Sequence, residues 1–177
     1  EAWLLNNLDG STARWKALAQ QIMVMDLNRN TSGGEGVNCD SWAGYRTPRN
    51  RLLRHVRDQR IDNVVVLTGD EHQNFAGELH LNGREPEGRP IATEFVSTSI
   101  TSGGDGSDQR ADAQRFLAAN PQLKFINSQR GYVVCDVTPE AWRTEFKVLD
   151  KVSDRDGVLS TRKTLAVASG DPRLVEA

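Results

Sequence analysis

The stretch NVVVLTGDEH, residues 63–72, constrains the fold of this chain more than any other segment. After Asn63, a continuous apolar and mainly β-branched run extends to Leu67. Such a run is typical of a strand that is covered on both faces, as in the middle of an α/β or layered fold. The run then breaks into Gly69, Asp70 and His72. Ligands in such folds collect beyond the carboxyl ends of the strands, so functional side chains are expected here.

Asp70 and His72 are the first candidates for a metal site. In an extended segment, side chains two positions apart leave the same side of the backbone, so a carboxylate and an imidazole could bind one metal ion or two adjacent ions. Gly69 is expected to allow a sharp turn and to keep a Cβ out of the site. The alternative is that Asp70 caps a turn and His72 is a partly exposed polar residue. Polar groups directly after a buried strand are costly without partners, which favours the metal site.

The pattern of apolar residues predicts three helices in the chain. The first covers residues 11–25, with Ser11 as N-cap and an apolar face at three- to four-residue spacing. A Gly-rich loop over residues 28–46 follows. The second helix begins near Thr47 with Pro48 in its first position, and a third ends near Ala119, before Asn120-Pro121. The apolar face of the first helix would carry Trp15, Leu18, Ile22 and Met25.

The remaining predicted elements are strands, most of them antiparallel. Residues 77–81 and 90–100 flank an Asn82-Gly83 turn, which is a hairpin signal. Residues 131–150 indicate two strands joined at Thr138-Pro139, and a final strand is expected over residues 159–168. One face of the second strand of the pair carries alternate residues, namely Trp142, Thr144, Phe146 and Val148.

Composition excludes some partner classes. The 177 residues are 37% hydrophobic and 26% charged, with a formal net charge of -2 and both signs interspersed. This balance indicates neither a nucleic-acid-binding patch nor an anionic membrane surface, and no apolar run approaches the ~20 residues of a membrane segment. Cys39 and Cys135 could pair with each other, bind a metal or lie buried as small apolar residues; burial is the favoured interpretation.

Several segments in order resemble one family. NVVVLTGDEHQNFAGEL is similar to the C-terminal metal-binding segment of the PhoD-type alkaline phosphatases, which belong to the binuclear metallophosphoesterase superfamily. STARWKALAQQIMVM, CDSWAGYRTPRNRLL, ATEFVSTSITSGGDG and NPQLKFINSQRGYVVCDVTPEAW also resemble segments of that family, in the expected order. The resemblance extends from about residue 3 to residue 149.

The resemblance implies a fold and a chemistry. The fold expected is α/β, part of a four-layer α/β/β/α metallophosphoesterase sandwich with helices and a mainly antiparallel C-terminal sheet. The function implied is metal-dependent hydrolysis of phosphate mono- or diesters at a binuclear metal centre, with iron and calcium as the metals. Asp70 and His72 would be metal ligands, and the nucleophile would be a metal-bound water. Family members are often exported, which implies a periplasmic or secreted location. The resemblance implies no oligomeric state.

Other candidates lie outside that segment. Asp40, Trp42 and Tyr45 could line the cleft, or they could be a turn residue and two packed aromatics. Lys124 and Arg130 could contact an anionic substrate, although surface ion pairs are the more ordinary role for such side chains. His55 and His80 are expected to be structural, and Asn127 is expected only to serve a turn.

The remaining metal ligands of the superfamily are expected upstream of this chain. Residues 1–177 are therefore interpreted as the C-terminal part of a single PhoD-like domain whose upstream half is absent, and the chain alone is expected to be inactive. A non-catalytic binding module derived from the phosphatase fold is the alternative.

Overall fold

The computed structural model describes residues 1–30 and 32–177. These residues form the α-helices α1 (Ala2–Gly10), α2 (Arg46–Asp58) and α3 (Ala113–Ala118), with a 3₁₀ helix at Trp42–Gly44. No helix in the described ranges has the length and apolar character needed to span a membrane. The strands are β1 (Lys16–Ala19), β2 (Val64–Thr68), β3 (Asn74–Leu79), β4 (Ala92–Val96), β5 (Leu123–Asn127), β6 (Gly131–Val137), β7 (Ala141–Leu149), β8 (Leu159–Ala168) and β9 (Asp171–Glu176).

The first sheet is mixed and has the order β1-β2-β4-β3-β5. β1, β2 and β4 pair in parallel, and β3 pairs antiparallel with both β4 and β5. One face of this sheet packs against residues of all three helices, in a core that contains Leu8, Leu53 and Phe116. β2 and β4 consist almost entirely of buried residues, as expected for strands that are covered on both faces.

The second sheet is antiparallel, with the order β6-β7-β8-β9, and it covers the other face of the first sheet. Phe146 of β7 lies fully buried between the two sheets. Its ring centroid is 4.8 Å from that of Phe125 and 6.3 Å from that of Phe95, both on the first sheet. The alternation of buried and half-buried residues along β7 is the pattern of a strand with one face in a core.

The architecture confirms the predicted mixed α/β class with an antiparallel C-terminal sheet. The described residues supply three layers of the expected four-layer sandwich, namely helices, first sheet and second sheet. All three helices lie on the same side, since each contributes to the core on the helical face of the first sheet.

Several predicted elements are confirmed. The apolar run is β2, the second predicted helix is α2, and the two strands joined at Thr138-Pro139 are β6 and β7. Pro48 is the third residue of α2 rather than its first, still within the turn where no backbone N–H is required. The predicted strand over residues 159–168 is β8. β3 and β4 pair as expected, but residues 80–91 join them in place of a tight turn.

The helix predicted over residues 11–25 is wrong. Lys16–Ala19 form β1, which pairs with Val64–Leu67, and residues 20–25 are irregular. Trp15 packs between the sheets, 5.8 Å from the Trp142 ring, whereas Leu18 packs toward the helices. Adjacent strand residues point to opposite faces, so apolar residues three apart pack in two different cores. The same three-residue spacing is also the spacing of one helical face, which explains the wrong prediction. The helix that does form, α1, lies before this segment.

Candidate active site

One edge of the first sheet gathers most of the polar candidates. β1, β2, β4 and β5 run in the same direction, so their carboxyl ends meet at one edge, together with the start of β3. We call this the carboxyl edge; its loops are residues 20–22, 69–73, 97–112 and 128–130. Backbone hydrogen bonds tie neighbouring loops together, from Gly69 N–H to Gln21 O at 3.3 Å and from Ser97 N–H to Thr68 O at 2.9 Å. This is the edge where α/β sheets bind ligands.

Asp70 and His72 lie exposed at this edge, in a conformation that the sequence did not indicate. Both have left-handed backbone angles, with φ of 69° for Asp70 and 51° for His72. Each such residue costs about 1–2 kcal/mol relative to a right-handed one. The expectation of an extended segment is therefore wrong. Gly69 does not have a positive φ, and a Cβ added there would meet nothing within 4 Å, so its expected role stays a prediction. Strain of this kind concentrates at functional sites.

His72 has a neighbour suited to a metal ligand. The Ser102 hydroxyl oxygen, on the loop after β4, lies 3.5 Å from His72 Nδ1. Histidines that bind metals usually have one ring nitrogen engaged by a partner of this kind, which fixes the ring and leaves the other nitrogen for the metal. In this arrangement Nε2 of His72 is the available ligand atom.

Arg130 lies at the same edge, but it is held by the loops and only 3% exposed. Its Nη1 donates to Ser99 Oγ at 2.8 Å and to the Ser102 carbonyl at 2.6 Å, and its Nη2 donates to the Ser128 carbonyl. Burial lowers the pKa of the Arg130 guanidinium. The loop bends closely around this side chain: a Cβ on Gly106, whose φ is 74°, would lie 1.8 Å from the Ser128 oxygen. Arg130 thus shapes the loop that carries Ser102.

Lys124 lies at the other end of β5, away from Asp70 and His72. Its ammonium is 3.3 Å from the Glu78 carboxylate and donates to the Pro121 carbonyl at 3.0 Å. The register places Asn127, not Lys124, beside the start of β3. The structure therefore does not bring Lys124 together with the other candidates.

Trp42 reaches the carboxyl edge through Gln20. Its indole N–H donates to Gln20 Oε1 at 3.3 Å, and Gln20 Nε2 donates to Thr68 Oγ1 at 2.9 Å, two residues before Asp70. Asp40 and Tyr45 flank the 3₁₀ helix of Trp42 and are exposed; the Asp40 N–H donates within its own loop, to Asn38 Oδ1 at 3.0 Å.

The sequence profile of the PhoD-like phosphatases matches residues 1–146. This chain belongs to the PhoD-like phosphatase family. Alkaline phosphatase D of Bacillus subtilis (strain 168) is 44% identical over 162 residues, which are 92% of this chain and 28% of that relative. The solved structure of PhoD superposes with a TM-score of 0.94 at 40% identity, over 99% of this chain and 34% of that one. The chain thus spans about a third or less of the relatives that it matches.

In this PhoD-like chain, a buried carboxylate that the sequence analysis did not single out supports the carboxyl edge. Glu94 of β4 is fully buried; its Oε1 accepts from Val24 N–H at 2.8 Å and from Thr68 Oγ1 at 2.7 Å, and its Oε2 accepts from Met25 N–H at 2.7 Å. Burial raises the pKa of the Glu94 carboxyl, against the lowering effect of these hydrogen bonds. The available signal was an acidic residue inside the otherwise uncharged strand ATEFV.

Asn127, expected to serve only a turn, is a second buried support. Its Oδ1 accepts from Asn74 Nδ2 and from the Gln129 N–H, both at 3.0 Å, and its Nδ2 donates to Asp108 Oδ1 at 3.2 Å. These contacts join β3, β5 and the loop after β4 at the carboxyl edge. Their sequence separations of up to 53 residues explain why the sequence did not reveal them.

The other histidines and the cysteines lie outside this edge. The ring of His55 on α2 pairs with Asp9 at 2.7 Å, and His80 is buried, with its Nε2 3.9 Å from Glu78. Cys39 and Cys135 are both free, the first exposed and the second half-buried, so the favoured expectation of burial is wrong for Cys39.

Proposed function

We propose that the intact protein carrying this chain hydrolyses phosphate mono- or diesters with the help of bound metal ions, and that Asp70 and His72 are two of the metal ligands. The observation that carries this proposal is the paired left-handed conformation of Asp70 and His72 at the carboxyl edge. Membership of the PhoD-like phosphatases supports phosphoesterase chemistry for the full-length protein.

The donor atoms fit the metals that the resemblance implies. A carboxylate oxygen suits calcium and iron, and a neutral imidazole nitrogen suits iron. When bound, such ions would lower the pKa of a water molecule and neutralise charge on the phosphoryl oxygens. Among the residues that the structure describes, no three His, Cys, Asp or Glu side chains are grouped to hold a metal ion. The remaining ligands would therefore come from residues of the intact protein outside this chain.

The neighbouring side chains have supporting roles in this proposal. Ser102 orients the His72 ring through Nδ1, and Arg130 holds the Ser102 loop in place. Asp40, Trp42 and Tyr45 remain candidates for the wall of the cleft, of which Trp42 has the described link to β2 through Gln20.

The test compares full-length wild type with Asp70→Asn, His72→Ala and the control His55→Ala. Metal content would be measured by elemental analysis, and activity with nitrophenyl esters of phosphate, one monoester and one diester. We expect the Asp70 and His72 variants to lose bound metal and activity, and the control to keep both. Wild-type metal content in His72→Ala would remove this residue from the site. A wild type that holds no metal and hydrolyses neither ester would favour the non-catalytic binding module.

A further inference from the structure

Glu71 lies between the two candidate ligands but has a different environment. Asp70 and His72 are exposed, whereas the Glu71 side chain is only 8% exposed. Its own N–H donates to the Gly69 carbonyl at 2.8 Å, which closes the loop tightly before His72. Two left-handed residues in so short a loop need tertiary contacts to hold them, and Glu71 is the residue between them.

The Glu71 carboxylate is held by Arg29, 42 residues earlier in the chain. Arg29 Nη2 donates to Glu71 Oε1 at 2.6 Å, and the Arg29 side chain is 23% exposed. A charge-assisted hydrogen bond of this length, partly shielded from water, is stronger and more directional than an exposed ion pair.

Arg29 is itself fixed on both sides. Its guanidinium lies over the ring of Phe75, 6.0 Å from the centroid, and Phe75 is fully buried at the start of β3. The Arg29 backbone N–H donates to the Gly36 carbonyl at 2.8 Å, within the Gly-rich loop. The Arg29 backbone and the Arg29 guanidinium therefore each have a contact besides Glu71.

We propose that Glu71 and Arg29 are positioning residues for the metal site: their ion pair holds the loop in the conformation that presents Asp70 and His72 together. This inference rests on the proposed function, since it assigns a role to the pair only if Asp70 and His72 bind metal. In this role, neither residue would contact the metal or the substrate. Outer partners of metal ligands typically change metal affinity by about 10–100-fold when removed.

The experiment uses the full-length protein and calcium alone as the probe. Wild type, Glu71→Gln and Arg29→Met would be stripped with a chelator and titrated with calcium, and iron content would be measured before stripping. We expect both variants to need about 10–100-fold more calcium for half-maximal loading. Arg29→Lys keeps the charge within reach of Glu71, so we expect it to load close to wild type.

The matched control is Glu78→Gln. Glu78 is 11% exposed and pairs with Lys124, but it lies near the opposite end of β3 from the candidate site. If Glu71 contributed only to stability, both glutamine variants would unfold at lower temperatures and load calcium like wild type; that result would overturn the inference. Should Glu71→Gln fail to fold, the comparison of Arg29→Met with Arg29→Lys decides in the same way.

The result that would overturn the proposed function differs from the result that would overturn the positioning role. A wild type that binds neither calcium nor iron would overturn the proposed function, and the inference with it. A wild type that binds metal, next to variants of Glu71 and Arg29 that match it, would overturn the positioning role alone.

Discussion

The hydroxyl of Thr68, the last residue of β2, donates a 2.7 Å hydrogen bond to the buried carboxylate of Glu94 on the neighbouring strand β4. The same carboxylate accepts the N–H groups of Val24 and Met25, which lie on the chain that follows β1. Glu94 thus joins β4, the end of β2 two residues before Asp70, and the chain that follows β1.

The first prediction concerns the stability that Glu94 provides. In Glu94→Gln, one of the two oxygens becomes an NH₂ group, which opposes a buried N–H of Val24 or Met25 and leaves it without an acceptor. A loss of about 1–3 kcal/mol in the free energy of unfolding is expected. Thermal unfolding of the full-length protein measures it, with exposed Glu87→Gln as the control. Equal unfolding temperatures for the two variants would contradict the prediction.

The second prediction concerns pH. Burial raises the pKa of Glu94 in the folded protein above its ordinary value of 4.5. Between pH 4.5 and the folded pKa of Glu94, the folded state therefore binds more protons than the unfolded state. The contribution of Glu94 to the free energy of unfolding is then greatest below pH 4.5 and falls as the pH rises through the folded pKa. Glu94→Gln should lack this component. The difference in unfolding temperature between wild type and Glu94→Gln should therefore shrink as the pH rises from about 4.5; a difference that grows would contradict it.

The sequence predicted strands well where burial follows a simple rule. β2 is covered on both faces and is continuously apolar, and β7 has one face in a core and alternates. The prediction failed for β1 because Trp15 and Leu18 pack in different cores. β9 begins with Asp171-Pro172 and has one buried residue, so its sequence resembles a loop.

The location of Asp70 and His72 beyond the end of β2 was predicted, but their conformation was not. The strand end pointed to Asp70 and His72 because a buried run ends there. Around these left-handed residues, Arg29 contacts Glu71 and Ser102 contacts His72, across 42 and 30 residues of chain. A single sequence does not specify contacts between residues so far apart. The buried roles of Glu94 and Asn127 were not predicted because they too depend on distant partners.

The third prediction tests Asn127 as a support of the carboxyl edge. Asn127→Ala removes the acceptor of Asn74 Nδ2 and the donor to Asp108. Because Asn74 is fully buried and its other acceptor, the Gln129 carbonyl, is 3.4 Å away, the loss of the Asn127 oxygen should cost about 1–3 kcal/mol of stability. Proteolysis of the loop over residues 97–112 should also become faster. The exposed Asn82→Ala is the control, and equal cleavage rates in the two variants would argue against this role.

The fourth prediction separates steric fit from backbone strain in the loop around Arg130. Gly106 and Gly104 have similar φ angles, 74° and 72°, so alanine strains the backbone alike at either position. At Gly106 the new Cβ would also lie 1.8 Å from the Ser128 oxygen, whereas at Gly104 nothing lies within 4 Å. Gly106→Ala should therefore lower the unfolding temperature and the ester hydrolysis of the full-length protein well below those of Gly104→Ala. Similar values for both would show that the close contact is unimportant.

The fifth prediction concerns the 177-residue chain by itself. Asp70 and His72 offer one carboxylate and one imidazole, and the described residues place no third His, Cys, Asp or Glu with them in a group able to hold a metal ion. Two ligands are too few for a binuclear centre, since even one calcium or zinc ion takes four or more ligands. The chain alone should therefore hydrolyse neither a phosphate monoester nor a diester above background, with or without added iron and calcium. Metal-dependent hydrolysis by the isolated chain, abolished by His72→Ala, would show that these residues complete a site on their own.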